Sequence, residues 1–179
     1  MMDRITFNRW FYRLVLIAVA VLVLFVRMLP LDLGAGRLPG PDLLLVLVMA
    51  WVLRRPDYAP VFLIAALFFL ADMLLLNTPG VRTMMIVIGT EFLRRRESSL
   101  REQSFLMEFG MVAGTLVLMF VGQRLLMGLF LVEQVSLGRE TLFLMSTVAS
   151  YPFAVLATVY VFGIRKLQPG GDEISGQLA

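Results

Sequence analysis

From Phe105 to Val132 the sequence is predominantly apolar, with Glu108, Gln123 and Arg124 inside it, and from Leu142 to Ile164 it is predominantly apolar again. A helix needs roughly 20 such residues to cross hydrocarbon about 30 Å thick, so runs of this length commit a chain to lipid. Four further runs precede them: Leu14 to Leu31, broken by Arg27 and Pro30; Leu43 to Leu53; Val61 to Leu76; and Val81 to Leu93. Six runs account for a hydrophobic content of 59% and a mean hydropathy of +0.85. Water-soluble domains are usually about 45–50% apolar. No stretch between the runs is long enough to fold as a soluble domain of its own.

The expected architecture is therefore an all-α integral membrane protein. Six transmembrane helices are expected at about 14–31, 41–55, 60–77, 81–94, 105–132 and 142–164, in one membrane domain over residues 1–166. A tail over 167–179, with Pro169, Gly170 and Gly171, has nothing to bury and is expected to be disordered. The second and fourth runs hold only about a dozen apolar residues, which cover roughly 20 Å. Either neighbouring helices shield them and the bilayer thins, or one of them is re-entrant. Charge placement favours six crossings. Eleven basic residues then fall on one side (Arg4, Arg9, Arg13, Arg54, Arg55, Arg94, Arg95, Arg96, Arg101, Arg165 and Lys166) and four on the other (Arg27, Arg37, Arg82 and Arg139). By the positive-inside rule both termini are cytoplasmic. The first run resembles a signal peptide with small residues at Gly34, Ala35 and Gly36, but its length points to an uncleaved anchor.

The chain contains neither cysteine nor histidine. That excludes disulfides, thiol nucleophiles, iron–sulfur clusters, zinc sites of the usual ligand types, and triads built on histidine. No catalytic residue, cofactor or metal site is expected.

Polar groups inside the runs are the candidate anchors. Asp72 lies in FFLADMLLL, where a carboxylate costs about 2.5–3.5 kcal/mol to insert. It is either a buried anchor or a residue near enough to the outer surface to be wet or to cap the loop Asn77-Thr78-Pro79-Gly80. Arg124 is its candidate partner, unless it snorkels to the outer headgroups. Glu91 and Glu108 flank the arginine run and are expected to pair with Arg94 to Arg96. The loop RRRESSLREQS reads as a solvated helical extension with Glu97 and Arg101 at i,i+4, or as a contact for anionic lipid or a cytoplasmic partner. Gly110 and Gly114 form a GxxxG, while Ser146, Ser150 and Ala154 recur every four residues. Such ridges let helices approach closely, with packing of the fifth span on the sixth as the expected use and docking of a foreign helix as the alternative. Pro152 should kink the sixth span, its freed backbone groups satisfied by nearby serines.

The segment PDLLLVLVMAWVLRRPD reads as a short helix with Pro41 at its first position, Asp42 in its first turn, Arg54 and Arg55 in its last, and Pro56 as its stop. Trp51 fits an interfacial belt. The order Pro41-Asp42, apolar run, Trp51, Arg54-Arg55-Pro56, then Asp72 and Pro79-Gly80, resembles the bacterial rod shape-determining protein family MreD. The likeness covers roughly residues 39 to 95 and extends elsewhere only to span count and length. It departs from the family at Ala65, Ala66, Phe68 and Phe69, where glycines are common.

The resemblance implies a non-enzymatic scaffold of the elongation machinery in the bacterial cytoplasmic membrane. It also implies a fold like that of the substrate-binding components of energy-coupling-factor transporters. The implied partner is MreC, and through it the RodA glycosyltransferase, its transpeptidase partner and, indirectly, MreB filaments, with membrane lipid around the bundle and no nucleic acid. The alternative drawn from the same fold is a vitamin-binding transporter subunit. Against it, the first span carries only Ala18 and Ala20 where such subunits commonly use an A-x-x-x-A ridge.

Overall fold

The computed structural model describes residues 2–29, 40–76, 79–101, 103–131 and 136–164, with the side chains of 2–6 and 101 left aside. The small residues Gly34 to Gly36, Arg37, the Asn77-Thr78 pair, the end of the fifth predicted span at Val132, Arg165, Lys166 and the tail from 167 to 179 lie outside the described residues. The described residues are helical, with no strand among them. In chain order the helices are α1 (Met2–Met28), α2 (Leu43–Arg54), α3 (Val61–Leu74), α4 (Val81–Arg95), α5 (Glu97–Arg101), α6 (Phe105–Leu129) and α7 (Leu137–Tyr160), with a 3-10 turn at Pro56–Tyr58 between α2 and α3. Each apolar run thus forms a helix, and α5 is the addition.

Three of these helices are long and apolar enough to cross a membrane: Phe7–Met28 within α1, α6 and α7. Helices of that kind point to a membrane protein. Helices α2 and α3 are apolar but shorter. The first helix also begins well before the expected start at residue 14.

Helix α2 is the centre of the bundle. Every residue from Leu44 to Arg54 is buried, as an all-round apolar helix requires. It packs most extensively on α7, and also on α4, α5, α1 and the 3-10 turn, while α4 bridges α3 and α6. A helix of this length spans about 18 Å. Its neighbours enclose it from Leu44 onward, while Leu43 at its start is exposed.

The starting residue of α2 differs from expectation. Asp42 is the N-cap rather than a first-turn residue, its carboxylate accepting from the Leu45 N–H, and Pro41 precedes the cap. Arg55 closes the helix and Pro56 opens the 3-10 turn. Trp51 is also misplaced by the belt reading. It is fully buried in an aromatic cluster, edge-on to Tyr12 and Phe162, while Tyr12 stacks on Tyr58 with centroids 4.4 Å apart.

Buried apolar surface drives little association in lipid, so close packing and polar ties must hold such a bundle. The close approach is between α4 and α6. A Cβ on Gly89 would lie 2.3 Å from Met119 Sδ, and one on Gly122 2.9 Å from Met85 Sδ. Gly110 and Gly114 play no such part: both are exposed, with nothing near the place a Cβ would take. On α7, Ser150 and Ala154 are buried with Thr147, Tyr151, Val155 and Thr158, and that face lies mainly against α2, with α6 as a lesser neighbour. Pro152 sits inside α7 and removes the bond to the Val148 carbonyl. Ser150 does not answer that loss, because it donates to Thr147 instead.

The arginine-rich loop is solvated on one face, with Arg95, Arg96, Ser98 and Ser99 exposed, and docked on the other. Glu97 and Leu100 of α5 are buried, and α5 lies against α2. Arg94 donates to the carbonyls of Pro56 at 3.0 Å and Ala59 at 2.5 Å, tying the end of α4 to the start of α3. The end of the bundle holding these contacts, where α1 begins and α2 stops, is termed basal here, and the opposite end apical.

Candidate functional site

Two buried charge clusters lie at opposite ends of α2, where its macrodipole favours an acid at the start and a base at the finish. At the basal end, Arg54 Nη1 lies 3.0 Å from Glu108 Oε1, and the Tyr151 hydroxyl donates to the same oxygen at 2.5 Å. The side chains of Arg54 and Glu108 are 4% and 1% exposed, so the pair is sealed from solvent. Arg54 also donates to the Ala50 carbonyl at 3.2 Å. Three elements, α2, α6 and α7, meet at one carboxylate. Glu108 was expected to pair with the arginine run, but α6 turns it inward onto Arg54, while Glu91 meets that run through Arg94 and Arg95.

The apical cluster is larger. Arg82, at the start of α4, pairs with Asp42 Oδ2, and Arg27, near the end of α1, lies 3.4 Å from Asp42 Oδ1 and 2.7 Å from the Pro41 carbonyl. The Asp42 N–H donates to Thr147 of α7 at 3.1 Å. Asp72 is buried completely, and its Oδ2 accepts from the Thr83 hydroxyl at 2.7 Å and the Thr83 N–H at 3.2 Å. It therefore caps the first turn of α4 from α3, taking up a backbone donor that a helix start leaves orphaned. Asp72 Oδ1 has no hydrogen-bond partner among the described residues, and Arg82 Nη1 stands 3.9 Å from it. Of the two readings of Asp72, the geometry is that of the buried anchor.

Arg124 is not the partner of Asp72. It pairs with Glu140 at the start of α7, joining the apical ends of α6 and α7. Just before α4, Pro79-Gly80 makes the turn, with Gly80 at φ +83° as the N-cap, a conformation that only glycine adopts without strain. Arg55 is half-buried at the cap of α2, with no ion pair among the described residues.

Between α2, α4, α6 and α7 the apical cluster borders a cavity of about 60 Å³, lined by Asp42, Arg82, Gln123 and Thr147 among apolar side chains. Thr147 lies ten residues into α7, so Asp42 is recessed about 15 Å below the start of that helix. Two arginines and two aspartates meet here, so the formal charges cancel within the cluster. Among the described residues no group of three or more metal-ligating side chains comes together.

Several members of these clusters were invisible as site residues in the sequence: Tyr151, Thr83 and Thr147 are single hydroxyls in apolar or mixed helices. Arg27 and Arg82 were legible as charges at run ends, but not as clamps on one aspartate. No family model matches the chain, and no curated protein or solved structure is significantly similar to it.

Proposed function

We propose that this chain is a non-enzymatic membrane scaffold of the MreD kind, six-spanning with both termini cytoplasmic. It binds a bitopic partner such as MreC and through it positions the elongation machinery of side-wall peptidoglycan synthesis. The observation carrying this reading is where the residues of the resemblance go. Asp42, Arg54 and Asp72 are each spent on joining helices, and Trp51 on packing them. A molecule that spends Asp42, Arg54, Asp72 and Glu108 on its own rigidity is suited to presenting a fixed outer surface.

That surface includes the ridge of Gly110 and Gly114, which points away from the bundle with open space over both positions. Small residues of this spacing let a second helix approach closely, and no helix of the described chain takes the place. The ridge is thus the face offered to the partner's membrane helix. The six-helix, transporter-component-like fold belongs to the same reading, with α2 sheathed by its neighbours and α3 and α4 crossing locally thinner hydrocarbon.

The vitamin-binding alternative needs a pocket of about 300–1,000 Å³. The apical cavity, at about 60 Å³, is far smaller. Photo-crosslinking from single cysteines decides between the two, and is clean in a chain without native thiols. Gly114→Cys should crosslink in native membranes to a single-span protein of the cell-wall machinery. Capture of ATPase transporter subunits instead, or of nothing, would sink the scaffold reading.

A further inference from the structure

The seam between α4 and α6 is used by neither charge cluster. At its basal end, between the cap of α4, α5 and the start of α6, lies a cleft of about 290 Å³ lined by Arg96, Ser99, Leu100, Gln103, Met107 and Met111. Further toward the apical end a second cleft, of about 150 Å³, has almost wholly apolar walls that include Ile88 and Phe92 of α4 and Leu118 of α6. On α6, positions 107, 111, 115 and 118 share one face, as do 85, 89, 92 and 96 along α4 and its cap. The two clefts therefore follow one another along α6, with Arg96 of the basal cleft set against Phe92 of the apical one.

Met107 and Leu118 are about 16 Å apart along the helix axis, which matches one leaflet of hydrocarbon, half of about 30 Å. The basal cleft sets one cation and the polar side chains of Ser99 and Gln103 among apolar walls, and the apical cleft is oily throughout. Arg96 stands where the two parts join, its guanidinium 4.7 Å above the Phe92 ring. It is exposed and makes no ion pair among the described residues, whereas Arg94 and Arg95 both lean on Glu91.

We infer that this seam binds one anionic phospholipid, with its phosphate on Arg96, Ser99 and Gln103 and an acyl chain laid over Phe92, Ile88 and Leu118. A protein helix with side chains is about 10–12 Å across, too thick for clefts of 150–290 Å³, whereas an acyl chain is not. A zwitterionic headgroup would bring a second cation beside the arginine run, so the net-anionic lipid is preferred. The glycine ridge occupies the neighbouring strip of α6 and remains open beside it.

The test uses the full chain reconstituted in equimolar phosphatidylglycerol and phosphatidylcholine, then extracted gently and weighed by native mass spectrometry. One phosphatidylglycerol should remain bound, favoured about fivefold, the factor one arginine contributes near an anionic surface. Arg96→Glu should erase the preference. Arg95→Glu, at a side chain 80% exposed and engaged with Glu91, should keep it. Leu118→Trp, on an exposed position, should fill the trough and release the lipid without lowering the melting temperature. Equal retention of both lipids by the wild type overturns the inference. So does an unchanged preference in Arg96→Glu, and so does retention by Leu118→Trp, which would assign the effect to surface charge alone.

Discussion

Glu108 shows how much one side chain can hold when lipid removes the hydrophobic incentive for helices to associate. Its Oε1 receives both the Arg54 guanidinium and the Tyr151 hydroxyl. Glu108→Ala leaves a guanidinium buried without its counter-charge, a loss of about 3–5 kcal/mol. Tyr151→Phe removes one bond to a charged acceptor, about 1.5–3 kcal/mol. Both should appear as lowered unfolding midpoints in detergent, and equal midpoints for the two variants would contradict the arrangement. Asp72→Ala should likewise destabilise, because it strips two donors of Thr83, and Asp72→Asn should be milder, since an amide oxygen still accepts. That ordering, read by thermal unfolding, separates a capping role from a purely electrostatic one. Asp72 was legible in the sequence because a carboxylate in an apolar run must be explained. The partner of Glu108 was not, because Arg54 lies 54 residues away and Tyr151 lies 43 away, and only the packing of three helices brings them together.

Between elements, the small residues divide into those the bundle uses and those it leaves open. Gly89 and Gly122 sit where α4 and α6 close on each other's methionines, while Gly110 and Gly114 carry the sequence pattern of such a contact on a bare face. A GxxxG reads the same whether its neighbour is internal or foreign, so spacing alone could not assign it. Gly89→Leu should cost about 1–3 kcal/mol through overpacking, with Met119 and Thr115 forced to move. Gly110→Ala and Gly114→Ala should leave the unfolding midpoint unchanged or raise it slightly, since alanine favours helix by about 1 kcal/mol. Should Gly110→Ala unfold the protein as readily as Gly89→Leu, the exposed ridge would be misplaced. Trp51 was misread for a related reason: belt statistics suit a helix beside lipid, and α2 is sheathed by its neighbours.

For the molecule as a whole, the apolar runs were enough to read an all-helical chain, since run length needs no knowledge of neighbours. Which run is central was not legible, because α2 and α3 are similar in length and apolar character, and only the packing of the others distinguishes them. The six-span reading makes a topological prediction. In right-side-out cells, an impermeant maleimide should label Gly138→Cys from outside, and Ser98→Cys only after permeabilisation, both positions being exposed. Labelling of both from one side would falsify it. The enclosure of α2 also bears on how the protein is made. A helix of about 18 Å with an acid at one end and a base at the other is a poor tenant of lipid by itself. The Thr147 that meets Asp42 lies 105 residues further along the chain, and at about 5–20 residues per second it leaves the ribosome roughly 5–20 s later. On the six-span reading the insertion machinery keeps α2 sheltered for that interval, which makes the wait of the second helix for α7 the exposed step of biogenesis.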